Sequence, residues 1–102
     1  MSLGDLQQMT MLAVARLGDD AFGKAIREEL MEVAGRELSV SAIYVTLMRL
    51  EEQGLVASQK TDPDPTRGGR GKRFFHVTDE GWQALESSRE ALARLWNGVE
   101  PA

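Results

Sequence analysis

The sequence predicts a mainly α-helical protein with one small β-hairpin, and three observations support this fold class. Apolar residues recur at helical spacing in three segments before residue 54 and in one segment after residue 78. Two short runs with strand-like composition lie between the third and fourth helical segments. Residues 62–71, which separate these two runs, include two prolines and three glycines, as a hairpin loop does.

Composition limits what such a chain can be. Its 102 residues, of which 42% are hydrophobic, can bury one compact core. The lack of cysteine excludes a disulfide framework and a thiolate metal site. No stretch approaches the roughly 18 consecutive apolar residues of a membrane span, and the N-terminus has no signal-peptide pattern. We expect a cytoplasmic protein without a membrane partner, in which residues 1–78 and a C-terminal helix within residues 79–102 form one unit.

The first two helices differ in how much of their surface is apolar. From Leu3 to Leu17, apolar side chains cover more than one helix face, so one face can pack on the core while the other needs a partner. A second subunit is the simplest partner. The second helix is amphipathic, with Asp19 or Asp20 predicted as its N-cap and Gly35 as its end.

The third helix is predicted to begin after an N-cap at Ser39 and to end at Gly54. Its buried stripe is predicted to comprise Val40, Ile43, Leu47 and Leu50. The opposite face carries small, aromatic or mildly polar side chains, namely Ser41, Ala42, Tyr44, Val45, Thr46, Met48 and Arg49. A solvated face would usually carry more charge. Side chains of this kind allow a helix to enter the major groove of DNA and reach base edges.

The two strands are predicted at Leu55 to Thr61 and at Lys72 to Thr78. Thr78 then serves as the N-cap of the last helix, which is predicted to reach Trp96. Leucines and a valine of this helix form a seam of about two heptads, which is too short for a stable coiled coil by itself. This seam, Leu85, Leu92, Leu95 and Val99, should therefore pack against another surface.

The net charge is −4, yet basic residues are concentrated in the hairpin segment. Binding to nucleic acid depends on where the charge lies rather than on its sum. The order helix, helix, helix, strand, basic loop, strand, helix is that of a winged helix-turn-helix. In that arrangement the third helix is the recognition helix and the hairpin is the wing.

The predicted DNA-contacting residues follow from these two elements. They are Ser39, Ser41, Tyr44, Val45 and Arg49 on the third helix and Lys60, Arg67, Arg70, Lys72 and Arg73 on the hairpin. Tyr44 is the preferred base contact, and the basic side chains of the hairpin are predicted to contact phosphates. The alternatives are a merely exposed helix face and a loop whose charges only keep the protein soluble.

Three segments of the chain resemble the PadR family of bacterial regulators. They are residues 38–44 (LSVSAIY), 47–56 (LMRLEEQGLV) and 67–81 (RGGRGKRFFHVTDEG), within a resemblance that covers residues 6–95. The resemblance implies a dimeric DNA-binding repressor of the short subfamily with a single C-terminal dimerisation helix. It also implies that a small aromatic or lipophilic compound relieves repression, as is common in this family. A symmetric pair would occupy a pseudo-palindromic site on double-stranded DNA.

The predicted homodimer interface or effector pocket combines the two terminal helices. Its residues are Met9 and Ala13 of the first helix and Leu85, Leu92, Leu95 and Trp96 of the last. If two last helices cross at the dimer axis, these side chains can leave an apolar gap for a flat compound. The alternative for the tryptophan is simple packing.

No catalytic or metal site can be assembled from the residues of this chain. His76 is the single histidine and is predicted on a strand surface, without a nucleophile to activate. The helical glutamates, Glu51 and Glu52 among them, are predicted to be solvated. We therefore expect no enzymatic activity, no metal and no cofactor. The alternative to a DNA-binding regulator is a winged-helix module that binds another protein without reading DNA directly.

Overall fold

The computed structural model of the chain describes residues 3–61, 72–99 and 101. Its elements are α1 (Asp5–Leu17), a 3₁₀ turn (Gly18–Asp20), α2 (Gly23–Ala34), α3 (Val40–Glu52), β1 (Val56–Lys60), β2 (Arg73–Val77) and α4 (Asp79–Trp96). The two strands pair in antiparallel register, from Val56 opposite Val77 to Lys60 opposite Arg73. The predicted fold class and element order are confirmed. Within the described ranges, no helix has the length and apolar character needed to cross a membrane.

The core lies where α1, α2 and α3 pack on one another and on the hairpin. Its largest fully buried side chains include Phe75 of β2, Met11 of α1 and Ile26 of α2. The buried side chains of α3 are Ile43, Thr46, Leu47 and Leu50, whereas Val40 in the first turn is only half-buried. This burial turns the remaining face of α3 towards solvent.

Side-chain caps fix the starts of two helices, as predicted. The Ser39 hydroxyl accepts a hydrogen bond from the Ala42 backbone N–H at 3.1 Å, and the Thr78 hydroxyl accepts one from Gly81 N–H at 3.0 Å. Each bond satisfies a backbone donor that the helix itself leaves free. Gly35 ends α2 in the left-handed conformation, with a φ of 65°, which glycine adopts without steric cost.

The predicted start of α2 is wrong. Asp19 and Asp20 lie in the 3₁₀ turn, and the N-cap position of α2 is Phe22, which makes no side-chain capping bond. The reason is a pairing between distant parts of the chain. Phe75 donates its backbone N–H to the carbonyl oxygen of Ala21 at 2.8 Å, and Phe22 forms a β-bridge with Phe74. Because the backbone must stay extended for this pairing, the helix begins only at Gly23.

The first turn of α4 is anchored to the turn that follows α3. The Thr78 hydroxyl donates to the Gly54 carbonyl oxygen at 2.6 Å, and Thr78 N–H donates to the Leu55 carbonyl oxygen at 3.1 Å. Gly81 packs so closely on the same Leu55 carbonyl that a Cβ atom would clash with it. After Leu85, the last buried residue of α4, the helix is exposed or half-buried to its end.

The Ser39 cap yields a direct stability prediction. Replacing Ser39 with alanine should lower the free energy of unfolding by about 1 kcal/mol, because Ala42 N–H loses its acceptor. Urea denaturation measures this loss. Ser41→Ala is the matched control, since Ser41 is an exposed serine in the same turn. Equal stabilities of the two variants would show that the cap does not stabilise α3.

Candidate nucleic-acid interface

The turn between α2 and α3 is held by hydrogen bonds at both of its ends. Arg36 N–H donates to the Leu30 carbonyl oxygen at 3.0 Å, which closes the end of α2. The Arg27 guanidinium of α2 donates through Nε to the Leu38 carbonyl oxygen at 2.9 Å, just before α3 begins. Two helices joined by such a short turn form the helix-turn-helix unit that presents its second helix to DNA.

The outer face of α3 is exposed and has no carboxylate over its first three turns. Ser41, Val45, Met48 and Arg49 are all exposed, and the first acidic residue of the helix is Glu51. Val45 and Met48 are about half exposed and make part of this face apolar. An apolar side chain on such a face can contact the methyl group of thymine, and Arg49 can reach a base edge or a phosphate.

Tyr44 lies at a junction of three elements rather than on the open face. Its side chain is half-buried, and its ring centroid lies 6.2 Å from that of Phe75 in an edge-to-face arrangement. The ring also covers Gly23 so closely that a Cβ atom there would lie 2.6 Å from Tyr44 Cε2. Tyr44 therefore joins α3 to the start of α2 and to β2. This packing role was missed in the sequence, although a glycine at the start of a helix is a signal of close approach. The DNA contact of Tyr44 stays a prediction.

Two aromatic side chains support a lysine at the base of the wing. Lys72 Nζ lies 4.1 Å from the centroid of the Phe22 ring, within the range of a cation–π interaction. The Phe22 ring packs edge-to-face on Phe74, with centroids 5.7 Å apart. Thr61 pairs with Lys72 through both its backbone and its hydroxyl, which extends the hairpin by one residue pair beyond the strands. The Lys72 ammonium group is thus held at a defined place.

The other described cations of the wing lie beside Lys72. Arg73 is opposite Lys60 in the strand register, and Lys60 is exposed. Arg73 is half-buried and donates through Nη1 to the Ser58 hydroxyl at 2.9 Å. Lys60 and Arg73 therefore share one face of the hairpin at the base of the wing, and Lys72 lies on the other face with Phe22. Arg67 and Arg70 lie outside the described residues.

The predicted interface residues of α1 and α4 line separate cavities. Met9 and Ala13 belong to a cavity of about 360 Å³ between α1 and α2, whose lining also includes Leu12, Arg16, Glu29, Leu30, Val33 and Ala34. Arg16 and Glu29 form an ion pair there at 2.8 Å. Leu92, Leu95 and Trp96 line a second cavity, of about 210 Å³, with Val99. Within one chain, the two predicted halves of the pocket are therefore not joined.

A third cavity has one lining residue in common with each of the other two. It has a volume of about 220 Å³, and its lining shares Leu12 with the first cavity and Leu92 with the second. Together the three form one apolar surface, the α1–α4 band, which runs from the α1–α2 cleft to the end of α4. Leu85 belongs to the core of a single chain, with 6% of its surface exposed, whereas Leu95 is 73% and Trp96 65% exposed.

In the part of the chain that the structure describes, no three His, Asp or Glu side chains converge as metal ligands would. His76 is exposed on β2 and lies opposite Ala57 in the strand register.

Comparison with known proteins identifies relatives of this arrangement. The family model described as "Transcriptional regulator PadR-like family" matches residues 11–87. The transcriptional regulator Rv3488 of Mycobacterium tuberculosis is 34% identical over 77 residues, which are 76% of this chain and 67% of that protein.

Solved structures show the same likeness. A PadR family transcriptional regulator from Eggerthella lenta is similar with a TM-score of 0.70 and 27% identity, over 90% of this chain and 78% of that one. A PadR-like regulator from Bacillus cereus has a TM-score of 0.72 over 92% of this chain and 86% of its own. At 18% identity, this second likeness concerns the fold alone.

Proposed function

Because the chain belongs to the PadR-like family of transcriptional regulators, which are not enzymes, we propose that it represses transcription as a homodimer on a pseudo-palindromic DNA site. One observation carries this proposal. The exposed face of α3, which has no carboxylate before Glu51, lies next to a wing base that carries Lys60 and Arg73 on one face and Lys72 on the other. A protein that recognises DNA in this way needs a helix that enters the major groove and cations that contact the adjacent phosphates.

The cations are concentrated enough to matter in an acidic protein. The whole chain carries a net charge of −4, so non-specific attraction to DNA from the overall charge is not expected. Local attraction is expected at the wing, where Lys72 is held above Phe22 and Arg73 is held by Ser58. Cations that are fixed before binding lose less conformational entropy when they contact phosphates.

The α1–α4 band supports the homodimer. It leaves Leu92, Leu95, Trp96 and Val99 exposed at one end of the chain, with each at least half exposed. A contiguous apolar surface of this kind marks an interaction site in a protein that is otherwise well packed. A two-fold axis would bury the same surface of both chains at once and would place two copies of α3 about one turn of DNA, or a multiple, apart.

Selection of bound duplexes from a random library tests the proposal most broadly. We expect enrichment of a motif with two inverted half-sites separated by about one helical turn or a multiple of it. If the protein binds no duplex at low ionic strength, this result would instead support the alternative, a winged-helix module that binds another protein. Enrichment of a motif with a single half-site would support DNA binding but contradict binding as a symmetric dimer.

Lys72 should contribute to DNA affinity in a manner independent of sequence. Lys72→Ala should weaken binding to all duplexes by a similar factor and reduce the slope of log affinity against log salt by about 0.9 per lost phosphate contact. Fluorescence anisotropy at several salt concentrations measures both. Lys72→Arg, which keeps the charge, is the control and should retain the slope. An unchanged slope in Lys72→Ala would remove Lys72 from the DNA surface.

We also propose that a small lipophilic effector regulates DNA binding. The exposed Trp96 indole would line an apolar gap between two chains, so a flat aromatic compound bound there should quench its fluorescence. Trp96→Phe should abolish this quenching, whereas Trp82→Phe should retain it. Compounds that quench should also weaken DNA binding, since a regulatory ligand couples the two events. Absence of quenching across a varied panel of aromatic compounds would contradict the pocket.

A further inference from the structure

A chain of polar side chains joins the recognition helix to both strands of the wing. The Ser58 hydroxyl of β1 donates to Glu51 Oε2 of α3 at 2.6 Å. The Ser58 hydroxyl oxygen in turn accepts a hydrogen bond from Arg73 Nη1 of β2 at 2.9 Å. All three residues are half-buried. The guanidinium thus donates to the hydroxyl, and the hydroxyl donates to the carboxylate, so two hydrogen bonds link the three groups.

Glu51 differs in this respect from its neighbour in the helix. Glu52 is exposed and follows Glu51 directly in the last turn of α3. The sequence predicts both as solvated glutamates, yet within the described residues only Glu51 accepts a hydrogen bond from the hairpin. The two carboxylates carry the same charge at nearly the same place, so they separate the effect of the hydrogen bond from the effect of the charge.

We propose that Glu51 and Ser58 are positioning residues, which fix the Arg73 guanidinium and the base of the wing relative to the recognition helix. This inference depends on the proposed DNA binding. An arginine side chain has several rotatable bonds, and ordering it upon binding costs affinity. Here one of its five N–H donors is used by Ser58, which holds the group in place and leaves other donors for a phosphate.

The proposal predicts the opposite sign from simple electrostatics. Phosphates repel a carboxylate, so removing any glutamate near DNA should increase affinity or leave it unchanged. If Glu51 acts by positioning, its removal should weaken binding instead. Glu52, with no such contact to the wing, should follow the electrostatic rule.

The experiment compares Glu51→Ala, Ser58→Ala and the control Glu52→Ala by fluorescence anisotropy on a duplex selected with the wild-type protein. We expect the first two to bind about tenfold more weakly, as the freed side chains of both chains of a dimer must be ordered again. Their salt slopes should fall towards that of Arg73→Gln. Glu52→Ala should bind as tightly as the wild type or more tightly. Ser58→Thr, which keeps the hydroxyl, should restore affinity.

The outcomes separate this inference from the proposed function. A wild-type protein that binds no duplex overturns both. A wild type that binds, with Glu51→Ala and Ser58→Ala as tight as Glu52→Ala, overturns only the positioning role. Because Ser58→Ala changes no charge and removes one oxygen, it tests the role even if Glu51→Ala lowers the thermal stability.

Discussion

Replacing Gly81 with alanine is expected to destabilise the protein by about 2 kcal/mol or more. A Cβ atom there would clash with the backbone carbonyl oxygen of Leu55 and would lie 2.8 Å from Val77 Cγ1 and 3.0 Å from Met11 Cε. The carbonyl cannot retreat freely, because it accepts the hydrogen bond from Thr78 N–H. Alanine also improves helix propensity by about 1 kcal/mol over glycine, so the steric cost must exceed this gain.

Thermal unfolding measures the effect of this substitution. For a domain of this size, 2 kcal/mol corresponds to a decrease in Tm of roughly 10 °C. Gly4→Ala is the matched control, because the nearest atom to its added Cβ, Gln7 Oε1, is 4.0 Å away. If Gly81→Ala and Gly4→Ala had the same Tm, the close contact between Gly81 and the Leu55 carbonyl oxygen would be incorrect.

Replacing Leu95 with glutamate should disrupt the proposed dimer and reduce DNA affinity by about 100-fold or more. Leu95 is the most exposed apolar side chain of α4, at 73%, and lies on the α1–α4 band. A glutamate there would have to be buried without a partner charge, which is strongly unfavourable. DNA affinity should fall because a dimer that contacts two half-sites binds about 10²–10⁴-fold more tightly than a single chain that contacts one.

Sedimentation and anisotropy measure the two consequences together. Gln83→Glu adds the same charge to α4 at an exposed position that lines none of the three cavities, and it should leave the dimer intact. Both variants should remain folded, since neither position is buried in one chain. A dimeric Leu95→Glu protein with normal DNA affinity would mean that the α1–α4 band is not the interface.

The parts of the fold that local chemistry decides could be predicted from the sequence. The Ser39 and Thr78 caps, the end of α2 at Gly35 and the helical periodicities each depend on residues within a few positions of one another. The winged order of elements follows from them. The basic residues around the hairpin are also visible in the sequence, because both strands are close in the chain.

Contacts between distant residues could not be predicted in this way. The start of α2 depends on Phe75 and Phe74, more than fifty residues further along the chain, which hold Ala21 and Phe22 extended. Tyr44 resembles an outward helix residue by spacing, yet its ring packs on Gly23. Periodicity alone cannot show which partner a half-buried side chain meets.

Two features of the candidate site, the hydrogen bond of Glu51 and the burial of Leu85, likewise could not be predicted from the sequence. Glu51 and Glu52 are equivalent by sequence, and only the position of β1 makes one of them a partner of Ser58. Leu85 continues the seam of Leu92 and Leu95, but it lies on the part of α4 that packs on the core. The boundary between the buried and the exposed part of α4 therefore depends on tertiary contacts.

The central claim is that α3 and the wing of two chains hold one DNA duplex, and titration of a selected duplex at several salt concentrations tests it most directly. We predict saturation at two chains per duplex. We also predict a log–log salt slope that approaches about −9 if Lys60, Arg67, Arg70, Lys72 and Arg73 of both chains each contact a phosphate. Saturation at one chain, or an affinity that stays constant as salt increases, would contradict the account.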